Sequence, residues 1–271
     1  MSRRVVSSAR VLNRYLTLVP SLLRAVRSET TELAGLSLRI PGPVSVRLSV
    51  VAGNARLCAA LDTVLRPGST VIDVGANIGV VTAYAAKRVG ATGRVVAIEP
   101  AADNLLVLAE NVRRNNLANV VIVDAAGGRR RESRQFYLRG DVSAVNSLFP
   151  ESCYAQVTAT AEVRVVPVDD LVEGGADLVK IDVEGAELDV LAGMPRLLAQ
   201  RGIHLVVEWH PVLQQAAGYA PDALPRLLLD GGFRLDAIGH GGSWPLNTSG
   251  IPELASRLIR AGRPVELFAR Y

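Results

Sequence analysis

Asp73, Gly75, Asn77 and Gly79 alternate within one run, Val71-Ile-Asp-Val-Gly-Ala-Asn-Ile-Gly-Val-Val81. Apolar β-formers lead into Asp73, and two glycines flank Asn77 in a tight turn. An apolar helical spacing at Val80, Val81, Tyr84 and Ala85 follows at once. A strand that stops in a glycine turn and opens a helix brings its backbone close to a nucleotide-like ligand. Glu99 closes the next apolar run, Arg94-Val-Val-Ala-Ile-Glu99. At that spacing a carboxylate can take both hydroxyls of a ribose. The two features together predict a site for an adenosine-containing cofactor.

The glycine spacing discriminates between cofactors. A dinucleotide fingerprint needs glycine at three positions, G-x-G-x-x-G, and here Asn77 and Val80 occupy the second and third. Asp73, two residues before the turn, would repel a pyrophosphate but suits S-adenosylmethionine, which carries an ammonium and a sulfonium. Unit charges ~4 Å apart interact by roughly 4 kcal/mol at an effective dielectric near 20. The sign of Asp73 therefore favours S-adenosylmethionine, with Asp73, Gly75, Asn77, Gly79, Glu99 and Pro100 at the site.

A second acidic cluster follows in Leu178-Val-Lys-Ile-Asp-Val-Glu-Gly-Ala-Glu187. Asp182 is expected at the carboxyl end of a core strand, the edge where open α/β sheets bind ligands. Lys180, Asp182 and Glu184 share one face while the strand lasts. The next strand ends Val206-Val-Glu-Trp-His-Pro211, which would bring Glu208 and His210 beside Asp182. Such a cluster over a cofactor cleft suits proton transfer. His210 is the first choice of base, because an unperturbed imidazole titrates near about 6.5. Glu208 would orient it or bind the acceptor, and Asp182 is the alternative base. These ligand types also permit a divalent cation, but the reading taken has no metal. Glu184 and Glu187 also suit the first turn of a following helix, and Arg129-Arg-Arg131 reads as a solvated loop.

These residues need a framework of alternating strands and helices. Strands are expected at 70–74, 94–98, 119–124, 177–182, 203–208, 233–238 and 264–270, with helices at 78–89, 102–115, 186–199 and 222–230. That alternation predicts a doubly wound, mainly parallel α/β sheet. Residues 132–168 read as an inserted hairpin near the substrate, and 239–250, with His240 and Trp244, as a polar lid. Before residue 54, Leu36–Val51 alternates like a hairpin, and Asn54 is placed to cap a helix through Leu65. The expected division is an N-terminal helical and hairpin extension, 1–53, and a catalytic domain, 54–271. Leu12, Leu16, Val19, Leu23 and Val26 form a helical stripe. It would pack on the domain or on a second subunit. The alternative is peripheral attachment to an anionic membrane through the arginines opposite.

Composition sets the outer bounds. The 271 residues are 49% hydrophobic and 21% charged, enough apolar chain for a core and far from a disordered composition. Aromatics make up 4%, which argues against single-strand nucleic-acid binding by stacked bases. The formal charge is +4, too small to demand a polyanionic partner. Cys58 and Cys153 fit neither a disulfide framework nor a zinc site. No apolar run reaches the ~18 residues of a membrane span, and no cleavable leader is visible, so a cytoplasmic protein is expected.

Val71–Thr82, Ile98-Glu-Pro100, Val168-Asp-Asp-Leu171, Lys180-Ile-Asp-Val-Glu-Gly-Ala-Glu187 and Glu208-Trp-His-Pro211 together resemble the FkbM family of S-adenosylmethionine-dependent methyltransferases. The resemblance covers roughly residues 60 to 235, and the Lys180–Glu187 block is its most specific part. It implies a Rossmann-like sheet of seven strands, the last antiparallel. It also implies O-methylation of a sugar or secondary-metabolite hydroxyl, so a small-molecule or glycan acceptor. Gly75, Asn77, Gly79 and Glu99 match the family's cofactor positions, and Asp124-Ala125-Ala126 matches the stretch that meets the adenine. Nucleic-acid methylation is the competing reading. Base-methylating enzymes carry an Asn/Asp-Pro-Pro-aromatic motif after the fourth strand, where this chain reads Asp182-Val-Glu-Gly. A non-catalytic S-adenosylmethionine-binding protein is the third.

Overall fold

The structure is a computed structural model that describes residues 30–139, 145–150, 156–239 and 242–271. The N-terminal stripe, His240 and Cys153 lie outside the described residues. The chain opens with a hairpin of β1 (Thr30–Leu33) and β2 (Leu36–Arg39), then a helix, α1 (Val44–Val64). The hairpin thus lies earlier than the alternation of Val44–Val51 suggested. Leu57, Cys58, Leu61 and Leu65 bury at helical spacing, and that stripe outweighs the local preference of β-branched residues for strand. Asn54 sits inside the helix and donates to Val50 O at 2.8 Å.

Next come β3 (Thr70–Val74), α2 (Val80–Val89), β4 (Arg94–Glu99), α3 (Ala102–Arg114) and β5 (Val120–Asp124). An inserted unit follows, with β6 (Ala126–Gly127), β7 (Glu132–Leu138) and β8 (Ala159–Val166). Here β7 pairs antiparallel with β8, and β6 pairs parallel with it. The main fold resumes with β9 (Leu178–Ile181), α4 (Glu187–Ala192), α5 (Pro195–Leu198), β10 (His204–Trp209), α6 (Pro211–Ala216) and α7 (Ala223–Asp230). The helix expected over 186–199 is broken because Pro195 lacks an N–H to continue it. The chain ends with β11 (Arg234–Gly239), β12 (Gly242–Leu246), α8 (Ile251–Ala261) and β13 (Val265–Arg270).

The main sheet runs β12-β11-β13-β10-β9-β3-β4-β5. From β5 through β10 the strands are parallel, and β13 is antiparallel to β10. All seven expected strands are present, the last antiparallel, and β12 adds an eighth at one edge. That edge strand, Gly242–Leu246, lies within the expected lid. Its Pro245, opposite Asp236, is tolerated because an outer strand does not need every N–H paired.

Both faces of the sheet are covered, as a parallel sheet requires. Ile72, Val74, Ile98, Ile181 and Val207 pack into one core. Val71, Val95, Leu178 and Val206 pack into the other, with α1, α2 and the β1–β2 hairpin. Asn111 of α3 ties that hairpin to the glycine turn. Its amide accepts from Arg39 N at 2.6 Å and donates to Arg39 O at 3.0 Å and Ile78 O at 2.8 Å. The strand order reverses between β3 and β9, and at such a switch point the carboxyl ends leave a crevice.

Candidate active site

That crevice is lined by Gly75, Asn77, Glu99, Pro100, Asp182 and Glu184 among others. The glycine turn forms one wall. Gly75 (φ 79°), Asn77 (φ 50°) and Gly79 (φ 84°) all adopt the left-handed region. Gly75 N and Ala76 N both donate to Ile98 O, at 2.9 and 3.0 Å, which pins the turn to the end of β4. A Cβ on Gly79 would stand 2.3 Å from Leu108 Cδ1, so glycine lets α2 start against α3.

Glu99 links the walls. Its Oε2 accepts from Asn77 N at 2.9 Å, and its Oε1 accepts from Ala101 N at 2.9 Å and Asn104 Nδ2 at 3.0 Å. Burial pushes its carboxyl above the usual range, and these three donors pull it back. Each carboxylate oxygen has two lone-pair sites; those of Oε1 are taken by Ala101 N and Asn104 Nδ2, and Oε2 keeps one for a ligand hydroxyl. Ala125, Ala126 and Gly127 supply a wall with little side-chain bulk. Phe136, Asn146 and Leu148, from the inserted unit, complete it. Sequence reasoning placed that insert near the ligand without naming these residues.

Three expected cofactor residues stand apart from the cavity lining: Gly79, set against Leu108, Asp73 and Asp124. Asp73 is fully buried beneath the turn, where Thr82 Oγ1 donates to its Oδ2 at 2.6 Å and Lys180 Nζ lies 3.8 Å from its Oδ1. Burial raises its carboxyl, opposed by Lys180 and Thr82. Its charge therefore has a partner inside the protein, so the sign argument for the cofactor no longer rests on Asp73. Asp124 is exposed, and Ala125 and Ala126 after it line the cavity instead.

The second cluster forms where β9 and β10 end and β13 begins. Lys180 Nζ donates to Asp182 Oδ2 at 3.0 Å. Burial alone would lower Lys180, but Asp182, Asp73 and Glu266 hold it above its ordinary value. Asp182, Glu208 and Glu266 approach one another closely, and Glu208 faces Glu266 directly across the antiparallel pair. Burial first, then the charges of Asp182, Glu184 and Glu266, push Glu208 well above the carboxylate range. Burial and Asp182 take Glu266 up to about 7, opposed by Lys180. Glu266 escaped the sequence reading because only the pairing of β13 brings it here; its one local sign is an acid within an apolar strand.

His210 is placed differently from expectation. It is buried at the junction of β10 and α6, outside the cavity lining, and burial lowers its imidazole. Pro211 begins the helix one residue later, so His210 is covered where the chain turns. Glu184 lines the cavity with φ 55°, and its carbonyl accepts from Ser147 Oγ at 2.7 Å. Glu187 caps the same loop from within, accepting from Gly185 N at 3.0 Å. Arg129, Arg130 and Arg131 are exposed and pair with Asp189, Glu132 and Asp170.

The methyltransferase FkbM domain family matches residues 73–235. The AMB antimetabolite synthetase AmbE of Pseudomonas aeruginosa is 30% identical over 218 residues, 66% of this chain and 10% of that protein. The hexuronic acid methyltransferase AglP of Haloferax volcanii is 31% identical over 160 residues, 58% of this chain and 59% of AglP. The chain thus spans a tenth of one curated relative and under two thirds of the other. Among solved structures, methyltransferase FkbM from Methylobacillus flagellatus KT is 17% identical, with a TM-score of 0.41. The match covers 83% of this chain and 56% of that one. Among the described residues no helix is long and apolar enough to cross a membrane.

Proposed function

The chain belongs to the FkbM family of S-adenosylmethionine-dependent methyltransferases, and from that premise we propose that it methylates a hydroxyl of a sugar or secondary-metabolite acceptor. The observation that carries this reading is Asp182 lining the same cavity as Gly75, Asn77 and Glu99. A group able to handle an acceptor thus stands across from the groups able to hold a nucleoside. The printed name of AglP, a hexuronic acid methyltransferase, supports a sugar acceptor.

The residues fit the cofactor on their own chemistry. Glu99 keeps a lone-pair site on Oε2 for a ligand hydroxyl, and Ala125, Ala126 and Gly127 line the opposite side with little bulk. When bound, S-adenosylmethionine supplies a methyl carbon on a positively charged sulfur. The chain's own task is alignment, since orienting the acceptor oxygen supplies much of such a rate enhancement.

Asp182 is the residue placed to orient that oxygen and receive its proton. Lys180 engages Oδ2 and leaves Oδ1 for the acceptor. A positioned base contributes on the order of 10²–10⁴-fold. His210, covered and off the cavity, acts as a strand-end residue instead. We place the reaction in the cytoplasm.

The test is incubation of the protein and labelled S-adenosylmethionine with extracts of cells lacking the gene, with mass spectrometry of the labelled product. An O-methylated glycan or secondary metabolite is expected. Label appearing in RNA or DNA, or S-adenosylhomocysteine binding with no product from any extract, would overturn the assignment.

A further inference from the structure

We propose that Asp182, Glu208 and Glu266 form a binding site for one hard divalent cation beside the cofactor cavity. One carboxylate oxygen from each lies within 4.8 Å of the others. Ligands held at 2.0–2.6 Å from a common ion, the range for magnesium to calcium, are at most roughly 4–5 Å apart. The set is all oxygen, with no thiolate or imidazole, which selects magnesium, manganese or calcium over zinc or copper.

Proximity of acids alone would not make a site; the unpartnered, enclosed oxygen of Glu266 does. Glu208 and Glu266 are direct cross-strand neighbours, an arrangement that like charges destabilise. The nearby ammonium of Lys180 is already engaged, 3.0 Å from Asp182 and 3.8 Å from Asp73. Glu266 Oε2 is sealed from solvent and has no hydrogen-bond partner among the described residues. A carboxylate oxygen left in that state is costly, and a cation is what the three strand ends can share. The three ligands stand on or just beyond adjoining strands, so little chain must be ordered to bind the ion.

Asp182 belongs both to this trio and to the cavity wall. On the methyltransferase reading, the ion would draw an oxygen-rich acceptor, such as a sugar diol, to the Asp182 side. Ion binding itself does not depend on that reading, so the two are separable.

The experiment titrates the chelator-treated full chain with Mn²⁺, followed by electron paramagnetic resonance, beside calorimetry with S-adenosylhomocysteine. One saturable site per chain is expected, displaced by Mg²⁺. Glu208→Gln and Glu266→Gln should weaken it at least tenfold, while Glu110→Gln on the surface of α3 leaves it unchanged. Circular dichroism establishes that each variant is folded. Absence of saturable Mn²⁺ binding in the wild-type chain, which needs no variant, overturns the proposal. So does binding of equal strength in folded Glu208→Gln and Glu266→Gln. S-adenosylhomocysteine binding without Mn²⁺ binding removes the ion site alone; Mn²⁺ binding without S-adenosylhomocysteine binding leaves it and removes the cofactor reading.

Discussion

A Cβ placed on Gly75 would stand 1.9 Å from the carbonyl oxygen of Asp182. The two strand ends that flank the cavity are therefore held apart by no more than a glycine, and Gly75 also needs its positive φ. Gly75→Ala should destabilise the fold by about 2–4 kcal/mol, from strain in the left-handed region and overpacking. It should also weaken S-adenosylhomocysteine binding at least tenfold. Thermal unfolding and calorimetry measure both; an unchanged melting temperature would show that β9 yields easily.

Glu99→Gln tests the link between the walls. The substituted amide must set its NH₂ group against Asn77 N on one side, or Ala101 N and Asn104 on the other. Opposed donors in a buried place cost about 1–3 kcal/mol. Affinity for S-adenosylhomocysteine should fall at least tenfold. Full affinity in a folded Glu99→Gln protein would remove this carboxylate from the cofactor site.

Thr82 and Lys180 should both prove structural supports for Asp73. Thr82→Val keeps shape but removes the 2.6 Å bond to a fully buried carboxylate, a loss of about 2–3 kcal/mol. Lys180→Met leaves Asp73 without its cation and should cost about 3–5 kcal/mol. Urea unfolding of both variants gives the comparison. A Thr82→Val loss below about 0.5 kcal/mol would mean that Asp73 folds protonated and needs no donor.

Glu187 predicts a pH dependence with a definite sign. Burial pushes it from 4.5 up to about 7, although Gly185 N and Val183 N donate to it. The folded state thus favours the protonated form. Its contribution to stability is fully present below pH 4.5 and is lost as pH rises through about 7, by roughly 3 kcal/mol. Glu187→Gln retains an acceptor for Gly185 N and cannot ionise. The variant should therefore gain on the wild type between pH 4.5 and 8; a constant difference across that window would contradict the shift.

Local sequence was a good guide wherever a residue type dictates its own backbone. Gly75, Asn77 and Gly79 could be read as a turn, and Glu99 as the end of the neighbouring strand, because nothing remote decides those features. Reading failed where packing decides. Val44–Val51 alternates like a strand, yet the stripe beginning at Leu57 draws it into α1. Asp73 looked like a ligand group until its register opposite Lys180 and the cover of Thr82 were known. Glu266 became part of the cluster only through the antiparallel partner of β10.

The side-chain amide of Asn111 grips β2 with one hand and the turn at Ile78 with the other. The short hairpin ahead of the α/β core is consequently less an ornament than a brace. Its loosening would reach the nucleoside side of the crevice most directly through Asn111, beside the ties of Asn115 to Ser37 and Lys87 to Gly35, which makes this hairpin a place where distant events tune occupancy without touching any group that handles the methyl acceptor.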